Sequence, residues 1–101
     1  AKQSMLLCAA PGYLQRVGRP RRFDDLARHP FIVYRQHSSG RDRPLQFVVK
    51  GKAMTLHPEH TVRINDGEAM AHAAALGLGL TQLPDYMVED ELASGALVEV
   101  L

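Results

Sequence analysis

Residues 64–80 read "INDGEAMAHAAALGLGL", and the reading of this stretch decides the fold. The β-like segment "TVRIN" (61–65) runs into Asn65-Asp66-Gly67-Glu68, and then into a run that is small and apolar on nearly every side. Asn65 or Asp66 suits a helix N-cap, because a short side-chain oxygen can satisfy a free N–H of the first turn. Glu68 in that turn faces the positive end of the helix dipole. The helix is expected to reach about Leu76, with Gly77 as its left-handed cap. "LGLTQL" (78–83) then reads as a strand buried on both faces. Ala69, Met70, Ala71, Ala73, Ala74, Ala75 and Leu76 leave only Glu68 and His72 polar. A helix apolar all round is usually buried on more than one side. One side would cover a sheet. The other would meet a neighbouring helix or another subunit, or lie within the same domain.

Strand-helix-strand alternation extends in both directions. "SMLLCAA" (4–10) is a buried strand, and Pro11 occupies the first position of a short helix over 11–17, where its missing N–H costs nothing. "GRPRR" (18–22) is a loop, "FDDLARH" (23–29) one to two helical turns, and "FIVY" (31–34) a second buried strand. "RQHSSGRDRP" (35–44) is a polar loop without an apolar anchor, the segment expected to move most. Residues 45–57 read as a hairpin around Gly51. Beyond the decisive stretch, Pro84 is expected to open a last helix with Val88 and Leu92 on one face. Gly95 ends it and "ALVEVL" (96–101) closes the chain as a strand. The order β-α-β-hairpin-β-α-β-α-β predicts an α/β fold, a mostly parallel sheet flanked by helices and made mixed by the hairpin.

The totals set bounds. A chain of 101 residues makes one domain, and 46% hydrophobic with 6% aromatic residues implies an aliphatic, alanine-rich core. No apolar run approaches the ~18 residues of a membrane span, and no signal-peptide pattern is present. The single Cys8 cannot form an internal disulfide, which suits a reducing compartment such as the cytoplasm. The chain does not begin with Met and its first strand starts almost at once, so a piece of a longer protein is expected. Net charge is only +1, yet residues 1–50 hold ten Lys/Arg against three Asp, and residues 51–101 two against eight Asp/Glu. Such asymmetry fits either a nucleic-acid face or two opposite faces that attract each other on folding; the small net charge favours the second.

In open α/β sheets, ligands gather at the carboxyl ends of parallel strands. Those ends are Ala9-Ala10, Tyr34-Arg35-Gln36, Asn65-Asp66-Gly67 and Gln82-Leu83-Pro84, and three of them feed helix N-termini, where free N–H groups bind carboxylate or phosphate. Asp66 and Glu68 oppose an anion there, and Arg35 could offset them. The turn over 65–67 is therefore either a ligand wall or a plain cap.

Other chemistry is not written in the sequence. "GLGLTQ" (77–82) lacks the third glycine of a dinucleotide fingerprint and precedes a strand instead of opening a helix. His57 and His60 form an H-x-x-H in a turn with no third metal ligand nearby. Cys8 and His72 are the two candidates for an enzyme, and each reads more simply as a core thiol and a half-buried histidine. "GRPRR" with Arg16 lacks the interleaved aromatics of a single-strand binder and reads as a solvated loop. No cofactor is implied.

"LCAAPGYLQRVGRPRRFDDLARHPFIVYR" followed by "VRINDGEAMAHAAALGLGLTQLPDYMVEDELASGALVEVL" resembles the effector-binding region of LysR-type transcriptional regulators, in order and spacing over nearly the whole chain. Phe47 stands where many relatives carry Trp. The resemblance implies one lobe, the second, of a type 2 periplasmic-binding-protein-like fold. It implies hinge strands near 3–9 and 97–101, with the DNA-binding domain and the first lobe outside this chain. It further implies a small-molecule effector, DNA contact only through the absent N-terminal domain, a homo-oligomer and no membrane partner. Carried over by position, the effector-binding residues are Ala10, Pro11, Tyr34, Arg35, Gln36, Asn65, Asp66, Gly67 and Pro84, with Asp85 beside them. A solute-binding protein lobe shares this architecture and is the nearest competitor.

Overall fold

The computed structural model describes residues 5–36 and 38–101; Gln3 and Ser4 of the expected first strand and His37 of the polar loop lie outside them. In chain order the elements are β1 (Met5–Ala9), α1 (Pro11–Val17), a 3-10 helix (Phe23–Arg28), β2 (Phe31–Tyr34), β3 (Leu45–Val49), β4 (Lys52–Leu56), β5 (Thr61–Ile64), α2 (Gly67–Ala75), β6 (Leu80–Pro84), a 3-10 turn (Asp85–Met87), α3 (Glu89–Ser94) and β7 (Val98–Glu99).

Five strands form one sheet in the order β5-β2-β6-β1-β7. β2 is parallel to β5 and to β6, whereas β1 is antiparallel to both β6 and β7. The mixed character therefore comes from β1. The hairpin β3–β4, expected to join this sheet, makes a separate two-stranded sheet instead. Its Lys50-Gly51 turn has φ of 51° and 79°, the left-handed pair that matches the twist of a tight hairpin. Gln82 Nε2 of β6 donates to the Gln46 carbonyl at 2.9 Å, and Phe23 meets Phe47 edge-on at 5.7 Å, so the hairpin is fastened over the sheet.

Apolar runs in β1, β2 and β6 are buried on both faces because strand side chains alternate. Leu7, Ala9, Phe31, Val33 and Leu80 face α1, the first 3-10 helix and the hairpin. Cys8, Ile32 and Leu83 face α2 and Val88. The result is three layers with the sheet in the middle.

In α2, Asp66 is the cap: its carboxylate accepts the Ala69 N–H at 3.0 Å. Gly77, at φ 88°, ends the helix and donates to the Ala74 carbonyl at 2.9 Å. Met70, Ala71, Ala73 and Ala74 are buried, but Ala69, His72 and Leu76 are exposed, Leu76 at 69%. Within this chain the helix is thus buried on one broad face, not on two. The segment after Pro84 also departs from expectation. Pro84 ends β6, and a 3-10 turn precedes α3, with the break at Val88 (φ −122°, ψ 13°), whose side chain is fully buried. Burying Val88 against α2 takes precedence over continuing one helix. No helix among the described residues is long and apolar enough to cross a membrane.

Candidate functional site

Because β5, β2 and β6 are parallel, their carboxyl ends reach the same edge of the sheet. Met5 pairs with Pro84, so the start of β1 lies at that edge, and the Val100 N–H donating to the Leu7 carbonyl at 2.7 Å brings the end of the chain there too. At this edge lies a groove of about 480 Å³ lined by Tyr34, Gln36, Arg43, Asn65, Asp66, Gly67 and Met87.

The loop after β2 builds one side. Gln36 and Arg41 are joined by a backbone hydrogen bond (2.8 Å), Gly40 donates to the Gln36 carbonyl (2.9 Å), and the Arg43 N–H donates to the Tyr34 carbonyl (2.7 Å). The polar loop is thus anchored by its own backbone. Arg43 returns beside the strand end and lays its guanidinium over the Tyr34 ring, 4.9 Å from the centroid, a cation–π contact that holds a positive charge on the groove wall. Arg63 Nε clasps both Asp42 oxygens at 3.0 Å and ties the loop to β5. The start of α2 builds the other side. There Met87 lies so close over Gly67 that a Cβ at that position would stand 2.6 Å from the Met87 sulfur. Glycine at the helix start therefore lets the segment after β6 close over it.

Of the residues expected at one site, Tyr34, Gln36, Asn65, Asp66 and Gly67 share this groove, and Pro84 ends the middle strand of the same edge, buried beside Met5. Arg35 does not line it: its Nε donates to the Gly40 carbonyl at 3.1 Å, so the guanidinium is turned into its own loop. Ala10 and Pro11 are at the other end of the sheet. β1 runs against its neighbours, Cys8 pairs with Thr81 near the start of β6, and the carboxyl end of β1 points away from the groove. Convergence on this edge holds for three of the four strand ends and fails for the one that runs antiparallel, while Pro84 itself does not line the groove. Sequence reasoning misses Arg43 and Met87. Arg43 precedes Pro44, which disfavours helix and keeps the chain extended as it returns along β2; that is the one sequence signal for it. Met87 leaves no such signal.

Away from the groove, several titratable groups serve the fold. Cys8 is fully buried, and loss of hydration, helped by the negative charge of Glu99, pushes its thiol up to about 11, so it is protonated and unavailable as a nucleophile at neutral pH. The buried Tyr13 hydroxyl and His29 Nδ1 share a 2.7 Å hydrogen bond that joins α1 to the first 3-10 helix. Arg16 and Arg19 donate to the Gly77 and Glu99 carbonyls (3.3 and 2.7 Å) and fasten loops. Among the described residues no group of three or more potential ligands could hold a metal ion.

Residues 1–101 match the family described as the LysR substrate binding domain. The uncharacterized HTH-type transcriptional regulator YhjC of Escherichia coli (strain K12) is 31% identical over 100 residues, spanning 99% of this chain and 33% of that protein. An uncharacterized HTH-type transcriptional regulator of Haemophilus influenzae is 27% identical over 92% of this chain and 32% of its own length. Among solved structures, a full-length variant of AphB superposes with a TM-score of 0.82 at 25% identity, covering 98% of this chain and 33% of that one. CrgA, a LysR-type transcriptional regulator from Neisseria meningitidis, shares the fold with a TM-score of 0.76 at 24% identity over 98% of this chain and 33% of that one. The chain spans about a third of the length of the curated relatives it matches. Its three-layer lobe, its parallel strand ends gathered on one groove and its end-to-end match place this chain in the LysR substrate-binding domain family.

Proposed function

We propose that this chain is the second lobe of the effector-binding region of a LysR-type DNA-binding regulator, and that the groove at the carboxyl ends of β2, β5 and β6 is one wall of its effector cleft. The observation that carries the reading is the meeting of Tyr34, Arg43, Asn65, Gly67 and Met87, from the end of β2 and the segments after β2, β5 and β6, on one groove. β1 and β7 lie side by side with Met5 and Val100 at the same edge, which suits hinge strands crossing to a first lobe. Operator contact then belongs to a separate N-terminal domain, and the protein works in the cytoplasm. Subunits meet through surfaces such as the open Ala69–His72–Leu76 stripe of α2.

The effector in this reading is a small acidic molecule. Arg43 supplies the charge and the α2 N-terminus the N–H groups, while the Asp66 carboxylate is occupied by its cap. Effector binding moves the regulator only by favouring one arrangement of the lobes over another. The matched relatives are transcriptional regulators, which favours this reading over a transport lobe.

The test is a thermal-shift screen of metabolites on the intact two-lobed region, followed by substitution. Loss of a charge-assisted hydrogen bond should make Arg43→Ala weaken an acidic hit by about tenfold or more, and Arg35→Ala by about twofold at most. Undiminished binding in Arg43→Ala would remove the anion assignment. Shifts produced with no dependence on Tyr34, Asn65 or Arg43 would remove the groove itself.

A further inference from the structure

A second groove lies on the opposite face of the sheet, under the hairpin, with a volume of about 400 Å³. Its floor is apolar: Leu7 comes from the sheet, and the Phe23–Phe47 edge-on pair closes the wall between the first 3-10 helix and β3. Its rim is basic, with Arg21 and Arg22 on one side and Lys50 of the hairpin turn on the other.

The four arginines of residues 16–22 divide by role. Arg16 and Arg19 use their guanidinium groups to fasten loops to backbone carbonyls. Arg21 and Arg22 are fixed through their backbone instead: the Asp25 carboxylate accepts both N–H groups, at 3.2 and 3.1 Å. Their guanidinium groups pair with no carboxylate among the described residues, where Arg63–Asp42 is the one salt bridge. Glu99 is the one carboxylate side chain along the lining. At the inner end Gln82 is only 9% exposed, and its amide uses one hydrogen on the Gln46 carbonyl, leaving a second donor beside the groove. A basic rim whose backbone is fastened by Asp25, an apolar floor and a positioned amide together match one ligand chemistry.

We propose that this groove is a second small-molecule site, one that takes an amphipathic monoanion, a carboxylate carried on an apolar chain. The apolar tail covers the phenylalanine pair, and the carboxylate meets Arg21, Arg22 and Lys50. A simple anion leaves the floor wet, and an uncharged apolar molecule leaves the cations unpaired. The site shares no residue with the groove of Tyr34 and Arg43, although Met5 and Val100 of its lining stand at the same edge of the sheet.

The experiment is a titration of this isotope-labelled chain with octanoate below its micelle concentration, followed by amide chemical shifts. Saturable shifts are expected at Leu7, Phe47, Gln82 and Val100. Octanol, which lacks the charge, and inorganic phosphate, which lacks the tail, should each bind at least about tenfold more weakly. Joint substitution Arg21→Gln, Arg22→Gln and Lys50→Gln should weaken octanoate by about tenfold or more while retaining the backbone N–H groups that Asp25 holds. If the triple variant loses its folded spectrum, Lys50→Gln alone provides the test, with an expected loss of about threefold. Shifts that never saturate, equal binding of octanol, an undiminished affinity in the variant, or shifts centred on Tyr34 and Arg43 would each overturn the proposal.

Discussion

At the residue scale, the buried Tyr13–His29 pair gives the protein a pH-dependent stability. Burial holds the His29 imidazole below its ordinary 6.5, with the Asp25 charge partly opposing. As pH falls through 6.5, the unfolded chain takes up a proton that the folded chain resists. The stability tied to neutral His29 is therefore present above 6.5 and lost on acidification toward the folded value. Asp25, whose carboxyl is held below 3.8 by the Arg21 and Arg22 N–H groups, adds a loss of the same sign only in stronger acid. Thermal midpoints should fall between about pH 7.5 and about pH 5, and His29→Asn, which keeps a partner for Tyr13 but does not titrate, should flatten that fall. An unchanged slope in the variant would show that another group is responsible. The arginines teach the complementary lesson. Residue type marks Arg35 and Arg43 equally, and only the hydrogen bond from Arg35 to Gly40 and the Arg43–Tyr34 contact tell them apart.

At the element scale, the junction between α2 and β6 is the least forgiving point. The Leu80 N–H donates to the Pro30 carbonyl at 2.9 Å, and at Gly79, φ 153°, an added Cβ would lie 2.3 Å from that same oxygen. The neighbour is backbone and cannot swing away. Gly79→Ala should cost about 3 kcal/mol or more, a large share of the stability of a domain this size, read as a lowered urea midpoint. A cost below about 1 kcal/mol would mean that β6 can shift along β2. Most elements were legible, because caps, prolines and alternation act locally: α1 begins at Pro11, β2 spans Phe31–Tyr34, and the hairpin turns at Lys50-Gly51. The last helix was not, since its break serves the burial of Val88 against a distant helix.

At the scale of the whole molecule, the uneven charge of the two halves is not neutralised by folding. The one salt bridge among the described residues, Arg63–Asp42, joins a base of the acidic half to an acid of the basic half, and both side chains are partly exposed. Arg21, Arg22 and Lys50 gather around the groove under the hairpin, and Asp66, Glu68, Glu89, Asp90 and Glu91 around one beside α2 and α3. The two oppositely charged faces lie on opposite sides of the sheet, and each crowds like charges together. Salt should therefore stabilise the chain: raising NaCl from about 0.05 M to about 0.5 M should lift the thermal midpoint by about 2 °C or more, through screening of repulsion within each layer. A drop would mean that attraction between the layers dominates.

The sequence by itself determined most of the elements, the doubly buried strands, the capped alanine-rich helix and the family, because these depend on side-chain chemistry at short range and on the order of motifs. Only the tertiary structure decided that β1 runs against its neighbours, which sends Ala10 and Pro11 away from the groove and brings Met5 to it. Likewise it decided that the hairpin forms its own sheet and that Arg43, not Arg35, stands over Tyr34. The direction of a strand and the reach of a returning loop are set by partners far apart along the chain, and no local pattern of residues encodes them.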